Sequence, residues 1–173
     1  MVFNFGVSGH QPKWLTDLPA LRAAHRRRLN DLVGRRLSDT YLMWDREDDA
    51  WWADGPVVLD FDGEQLEVNH QKDRDLSITW STIDLALPID WGTSDNFQLT
   101  WRRDTPTDLV ALRGQTLQQV ELLEWVIDRR PIGSIDIHFT FPNGQVTIVN
   151  AGDENGLRFT PPPEAYRRHS LVG

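Results

Sequence analysis

Two stretches, VVLDFDGEQLEVNHQ (Val57–Gln71) and IDIHFTFPNGQVTIVNAG (Ile135–Gly152), decide the fold because they follow the same pattern about eighty residues apart. In each stretch apolar residues alternate with polar ones, a turn follows, and the alternation resumes. The turn is Asp-Gly at 62–63 in the first stretch and Pro-Asn-Gly at 142–144 in the second. Such alternation predicts strands, and these turn residues predict hairpins. We therefore expect two similar β-hairpins, each with one buried and one polar face.

The similarity extends beyond the hairpins. LVGRRLSDTYLMW (Leu32–Trp44) precedes the first hairpin, as LRGQTLQQVELLEW (Leu112–Trp125) precedes the second. This correspondence predicts an internal repeat of residues 32–81 and 112–160. At 173 residues the chain is expected to form a single domain, 1–173, that contains both copies.

Residues 109–126 allow two interpretations. The run QTLQQVELLEWV is rich in strong helix formers, which favours a helix. Its counterpart in the first copy, Leu37–Trp44, contains Thr, Tyr and Trp and is typical of a strand. The repeat favours a strand, and a helix remains the alternative.

Three further elements are expected outside the hairpins. A helix is predicted over residues 18–33, because Asp17 can cap its start and Gly34 stands where a helix commonly stops. A strand is predicted over residues 97–102. The proline-rich tail, 161–173, is expected to be a stiff and peripheral extension.

Together these patterns predict an α+β fold. Two tandem related β-units would form a mainly antiparallel sheet system of about eight or nine strands, with one N-terminal helix packed against it. A sandwich and a half-open barrel both satisfy the pattern, and it leaves open whether the units form one sheet or two.

Composition limits the possible functions. The chain has no cysteine, which excludes a cysteine nucleophile and thiolate zinc sites. Its net charge is −8, although residues 22–36 carry six arginines against one aspartate. An acidic body disfavours nucleic acid as a partner and favours a basic protein. The chain lacks a signal-like start and a long apolar run, so we expect no membrane partner and a cytoplasmic location.

No catalytic motif is recognisable, so we predict a protein that is not an enzyme, with no catalytic residues, no metal ligands and no cofactor. Ser134, Asp136 and His138 share one face of a predicted strand and suggest a catalytic triad. Residues two apart on a strand are separated by about 6.6 Å, which is too far for direct hydrogen bonds. We therefore interpret them as a polar row that faces solvent.

One acidic segment interrupts the first copy between its first strand and its hairpin. Large aromatic residues often anchor interfaces, and acidic neighbours would select a basic partner. The predicted partner-binding residues are Asp45, Glu47, Asp48, Asp49, Trp51, Trp52 and Asp54. Two alternatives remain open: the tryptophans fold back onto the sheet edge while the acids stay solvated, or the acids hold a metal.

The run FTFPNGQVTIVNAGDENGLRF (Phe139–Phe159) resembles a hairpin that recurs in small bacterial proteins, some of which are similar to immunity proteins of polymorphic-toxin systems. The resemblance covers about residues 112–160 and, through the repeat, 32–80. It carries over no catalytic or partner-binding residue. It implies a small cytoplasmic protein that binds a basic toxin domain and occludes its active site.

The sequence therefore favours a non-catalytic protein-binding module, most concretely an immunity-type inhibitor. A second hypothesis is a small-molecule-binding or enzymatic β-rich domain with a pocket between the two copies, near His70, Asp136 or His138. A third is an assembly subunit joined through sheet edges or the tail. The sequence does not define the oligomeric state.

Overall fold

Antiparallel strands make up most of this chain. The structure is a computed structural model, and it describes residues 4–90, 98–127 and 130–172. In chain order its elements are β1 (Trp14–Leu15), α1 (Leu18–Asn30), β2 (Leu37–Asp45), β3 (Ala50–Trp51), β4 (Val57–Phe61), β5 (Glu64–Gln71), β6 (Asp75–Trp80), β7 (Leu99–Arg102), α2 (Thr107–Val110), β8 (Gln119–Trp125), β9 (Ile135–Phe141), β10 (Gly144–Asn150), β11 (Asn155–Arg158) and β12 (Tyr166–Ser170).

The strands form two open sheets. In sheet 1 the order is β1-β6-β5-β4-β2, and β3 and β7 both pair with β2. In sheet 2 the order is β11-β10-β9-β8-β12. All of these pairings are antiparallel. The predicted α+β class, mainly antiparallel with one N-terminal helix, is confirmed, and the described residues form two sheets.

The two sheets have the same order over four successive strands. In sheet 1, β2, β4, β5 and β6 lie side by side, and in sheet 2 β8, β9, β10 and β11 do so. The registers of the central hairpins also agree. Leu59 faces Leu66 in sheet 1, and Phe139 faces Val146 in sheet 2. Each residue of the second pair lies 80 positions after its counterpart in the first pair.

Reciprocal hydrogen bonds join the segments that lead into the two sheets. The backbone N–H of Gly34 donates to the carbonyl of Leu117 at 2.9 Å, and that of Gly114 donates to the carbonyl of Leu37 at 2.8 Å. Both glycines have positive φ angles, +90° and +83°, and residues other than glycine rarely adopt such angles. Glycine at these positions therefore lets the chain turn into each sheet.

Helix α1 begins where its cap was predicted and ends earlier than expected. The Asp17 carboxylate accepts from the backbone N–H of Ala20 at 2.9 Å. The helix stops at Asn30 instead of residue 33, because Leu32 and Val33 donate to the carbonyls three residues earlier and tighten into turns. No helix in the described part of the chain is long and apolar enough to cross a membrane.

One apolar core is shared by α1 and both sheets. Leu21 and Leu29 of α1 are fully buried in it. Phe61 of sheet 1 and Phe139 of sheet 2 meet at its centre, with their ring centroids 6.1 Å apart. Burial of large side chains of this kind is worth about 1.5–3 kcal/mol each, so this core is a main source of stability.

The other face of each hairpin carries mostly polar residues, as predicted, but these are buried too, among them Glu67, Asn69, Asp136 and Thr147. In sheet 1 that face carries Met43 and Val58, which are covered by Phe5, Val7 and Ile83. In sheet 2 it carries Ser134, Asp136 and His138, which are at most 1% exposed. Segments distant in sequence cover both faces, and local alternation cannot report such coverage.

The structure gives the bounds of two elements that the sequence predicted only approximately. Within residues 109–126, α2 ends at Val110 and β8 occupies Gln119–Trp125, so the strand interpretation is confirmed for the second part. The strand predicted over 97–102 is β7, Leu99–Arg102, and Phe97 lies outside the described residues.

The tail is part of the sheet, and the expectation of a peripheral extension is wrong. β12 pairs with β8 along the edge of sheet 2. Tyr166 is 6% exposed, and Leu171 is 1% exposed within the shared core. The three prolines at 161–163 lie before the start of β12. They stiffen the segment that leads into this strand, and they remove no backbone N–H from its pairing with β8.

Leu171→Ala should lower the free energy of unfolding by about 2–4 kcal/mol, because it leaves a cavity in the shared core. Urea denaturation followed by circular dichroism measures this change. Val172 is 70% exposed, so Val172→Ala is the matched control and should stay within about 0.5 kcal/mol of the wild type. Equal unfolding midpoints for the two variants would contradict the packing of the tail.

Candidate functional site

The predicted acidic segment forms the connection from β2 through β3 and leads to β4. At its start, the Asp45 carboxylate is 4% exposed and accepts from the backbone N–H of Glu47 at 2.9 Å. This bond makes an Asx turn and brings the chain out of the strand. The turn presents Glu47, Asp48 and Asp49 as exposed side chains, a group called here the acidic tip.

Two residues that the sequence did not single out hold the acidic tip in place. The Asp49 carboxylate accepts from Trp44 Nε1 at 2.9 Å and from Arg102 Nη1 at 3.1 Å. The Arg102 guanidinium also lies 4.4 Å above the Trp44 ring. Arg102 comes from β7, which pairs with β2 only in the folded chain, so local sequence could not reveal this contact.

The two tryptophans of the segment pack against the protein on opposite faces. Trp51 packs against the shared core, and Trp52 packs against the cluster on the outer face of sheet 1. Successive strand residues point to opposite faces, which explains this division. The backbone N–H of Trp52 also donates to the carbonyl of Met43 at 2.9 Å. This placement corresponds to the alternative in which the tryptophans cover the sheet edge and the acids face solvent.

The remaining acid, Asp54, is half-buried. Burial raises the pKa of its carboxyl, and the nearby charge of Asp153 raises it further. The structure therefore separates the predicted residues into three groups: an exposed acidic tip, a half-buried Asp54, and the packed side chains Asp45, Trp51 and Trp52.

A second polar cluster surrounds Asp136, which is fully buried. Its carboxylate accepts from the Asn150 backbone N–H at 2.7 Å, from Arg130 Nη2 at 3.0 Å and from the Tyr166 hydroxyl. His70 Nε2 lies 3.6 Å away. Because these partners come from four different segments, Asp136 ties β5, β10, β12 and the connection between β8 and β9 together.

The triad suggested by Ser134, Asp136 and His138 does not form, and the three residues are not the solvent-facing row that we predicted. Ser134 accepts from Arg130 Nη2 at 3.3 Å, and His138 Nδ1 lies 2.7 Å from Thr147 Oγ1. Ser134 and Asp136 both accept from Arg130, His138 contacts Thr147, and no described hydrogen bond joins any two of the three side chains. A catalytic chain of Ser, His and Asp would need them to contact one another.

His70 closes the cluster on the side of sheet 1. Its Nδ1 faces Asn155 Oδ1 at 3.1 Å, and its Nε2 faces the carbonyl of Ile135 at 3.2 Å. Burial lowers the pKa of His70, although Asp136 acts in the opposite direction. The ring thus bridges the two sheets through Asn155 and Ile135 of the second copy.

Beside this cluster lies a cavity of about 380 Å³, called here the junction cavity. Arg130, Ser134, Asn150 and Arg158 of the second copy line it, together with Asp73 from the turn between β5 and β6. It is the place among the described residues that best matches a pocket between the two copies. Its lining residues come from separate turns, which sequence patterns do not connect.

Asp136→Asn should lower the free energy of unfolding by about 3 kcal/mol or more, because it leaves the Arg130 guanidinium without its buried counter-charge. Tyr166→Phe removes only one hydroxyl from the same cluster and should cost about 1–2 kcal/mol. Urea denaturation of both variants measures the difference. If Asp136→Asn were no more destabilising than Tyr166→Phe, the carboxylate would not be the centre of the cluster.

Three buried histidines should make stability depend on pH. Burial lowers the pKa of His10, His25 and His138 from 6.5 to about 4. Each therefore contributes stability that is fully present above pH 6.5 and is lost as pH falls towards 4. NMR titration of the ring Cε1–H resonances measures the three values directly. A ring that titrates close to 6.5 would show that it is accessible to water in the fold.

No protein-family model, curated protein or solved structure matches the chain significantly.

Proposed function

We propose that this protein is a non-catalytic protein-binding module, most concretely an immunity-type inhibitor that acts in the cytoplasm and binds a basic toxin domain. The observation that carries the proposal is the acidic tip, where Glu47, Asp48 and Asp49 are exposed on a connection fixed to the sheet. Because Asp49 is paired with Arg102, Glu47 and Asp48 are the exposed carboxylates that favour a surface rich in lysine and arginine.

The fixed geometry of the acidic tip supports binding. Asp45 shapes the turn, and Arg102 and Trp44 position Asp49, so little conformational freedom remains to be lost when a partner binds. Exposed acids also attract a basic partner over distance and increase the rate of association. Glu47 and Asp48 would contact the partner, whereas Asp49 would also maintain the turn.

The roles of the two tryptophans change in this proposal. Because Trp51 and Trp52 pack against the two apolar clusters, they support the acidic tip from behind. Replacing them would disturb the fold as well as the surface. A test of binding should therefore leave both tryptophans in place and change only exposed acids.

We also propose that the two sheets are tandem related units whose connections have diverged. The shared strand order and the shared 80-residue register of the central hairpins support this relationship. In the first unit the connection before the hairpin carries the acidic tip. In the second unit the equivalent connection carries Arg130, which turns inward to Asp136. The connection of the first unit is thus a candidate interface, whereas that of the second unit supplies a contact within the fold.

The test uses the double variant Glu47→Gln with Asp48→Asn. Tagged wild type and variant are expressed in the native host, and captured proteins are identified by mass spectrometry. We expect a basic protein to be retained by the wild type and lost by the variant. With the purified partner, the association rate should fall by about tenfold at low salt and much less at high salt, because screening weakens the attraction.

The matched control is Glu154→Gln with Glu164→Gln, which removes two exposed acids elsewhere. It should capture the same partner as the wild type. Co-expression with that partner then tests inhibition, since the wild type should protect cells from it and the tip variant should not. Equal capture by wild type and tip variant would contradict the proposal.

A further inference from the structure

The junction cavity lies where three turns meet, on the side of sheet 2 that faces away from the shared core. Its described lining comes from Asp73 between β5 and β6, from residues 130–134 before β9, from the end of β10 and the turn after it, and from Arg158 at the end of β11. Its volume of about 380 Å³ is at the lower end of the range for small-molecule sites. A small metabolite would fit this space, whereas a polymer would not.

One wall of the junction cavity is rigid and cationic. Arg130 Nη1 donates to the Tyr166 hydroxyl at 2.8 Å, and Nη2 donates to Asp136 at 3.0 Å. The guanidinium also lies 4.6 Å above the Trp125 ring. These contacts hold Arg130 in one position, and Asp136 neutralises its charge.

The second arginine of the junction cavity, Arg158, has no ion-pair partner among the described carboxylates. No described residue accepts a hydrogen bond from Arg158 Nη1, although this atom is buried. Other arginines near or on the sheets do pair with acids, namely Arg28, Arg36, Arg102, Arg103, Arg113, Arg130, Arg167 and Arg168. A charged donor without an acceptor is costly unless something else satisfies it.

We propose that the junction cavity binds a small molecule through a carboxylate or phosphate group, and that Arg158 is the main contact of that group. A planar guanidinium matches both kinds of oxyanion. Ser134 also lines the cavity, and its buried oxygen accepts from Arg130, so it helps to hold that guanidinium in place. Asp73 is an exposed lining residue and would face the less acidic end of the ligand.

This site is independent of the acidic tip, so each proposal can fail alone. The probes are inorganic phosphate and acetate, titrated into the full chain and followed by ¹⁵N-resolved NMR. We expect one saturable site, with shifts centred on the turn between β10 and β11, and a Kd of about 1 mM or tighter for the preferred anion. The anion that binds more tightly identifies the ligand group as phosphate or carboxylate.

Arg158→Gln should raise that Kd by about tenfold or more, because it removes the charge and keeps most of the side chain. The matched control is Arg167→Gln on β12, whose partner is Glu124 at 3.5 Å, and it should leave the Kd unchanged. Circular dichroism checks the fold of both variants. If Arg158→Gln did not fold, Arg158→Lys would replace it, and loss of the planar fork should still weaken binding.

Two results would overturn the proposal. One is the absence of saturable shifts in the wild type with either anion. The other is an unchanged Kd in a folded Arg158 variant, which would place any anion elsewhere on the surface.

Discussion

The two sheets depend on one joint, in which residues 34–37 and 114–117 exchange backbone hydrogen bonds. Leu37 donates to the carbonyl of Gln115 at 2.9 Å, and Leu117 donates to the carbonyl of Arg35 at 2.8 Å. Because β2 begins at Leu37, the joint fixes the direction of sheet 1 where that sheet starts. The segment on the other side leads into β8 in the same way. The joint thus holds together the starts of the two sheets that share the apolar core.

At the other end of the strands the sheets are held by polar contacts. Asn155 Nδ2 donates to the carbonyl of Gly55 and to Asn69 Oδ1, both at 2.8 Å, and its oxygen accepts from the backbone N–H of His70. Apolar contacts have no preferred direction, whereas hydrogen bonds do, so these bonds fix how the sheets are aligned. Gly55 ends the connection that carries the acidic tip, and His70 contacts Asp136 behind the junction cavity. Both candidate sites are thus anchored to the same contacts.

The sequence predicted the elements that depend on interactions between residues close together in the chain. The Asp17 cap, the hairpins and the β8 strand could be predicted because capping, turn residues and alternation act within a few positions. The patterns could not show that Phe5 would cover sheet 1, nor that Tyr166 would reach Asp136, because these contacts join distant segments. The acidic tip could be recognised in the sequence as a run of charges. The packing of Trp51 and Trp52 against the sheet was an alternative there, whereas the prediction was that they bind a partner. A pocket between the two copies was only the second hypothesis, and its lining residues Arg130 and Arg158 could not be named because they come from separate segments.

The position of β12 at the edge of sheet 2 also bears on how the protein behaves at high concentration. Without it, β8 would present the run QVELLEW with unpaired backbone groups, and such an edge is a template for aggregation. β12 covers that edge, and its exposed residues Arg167 and Arg168 pair with Glu124 and Glu121 of β8. The strand that completes the fold therefore also removes the apolar strand β8 from the sheet edges at which a second chain could pair.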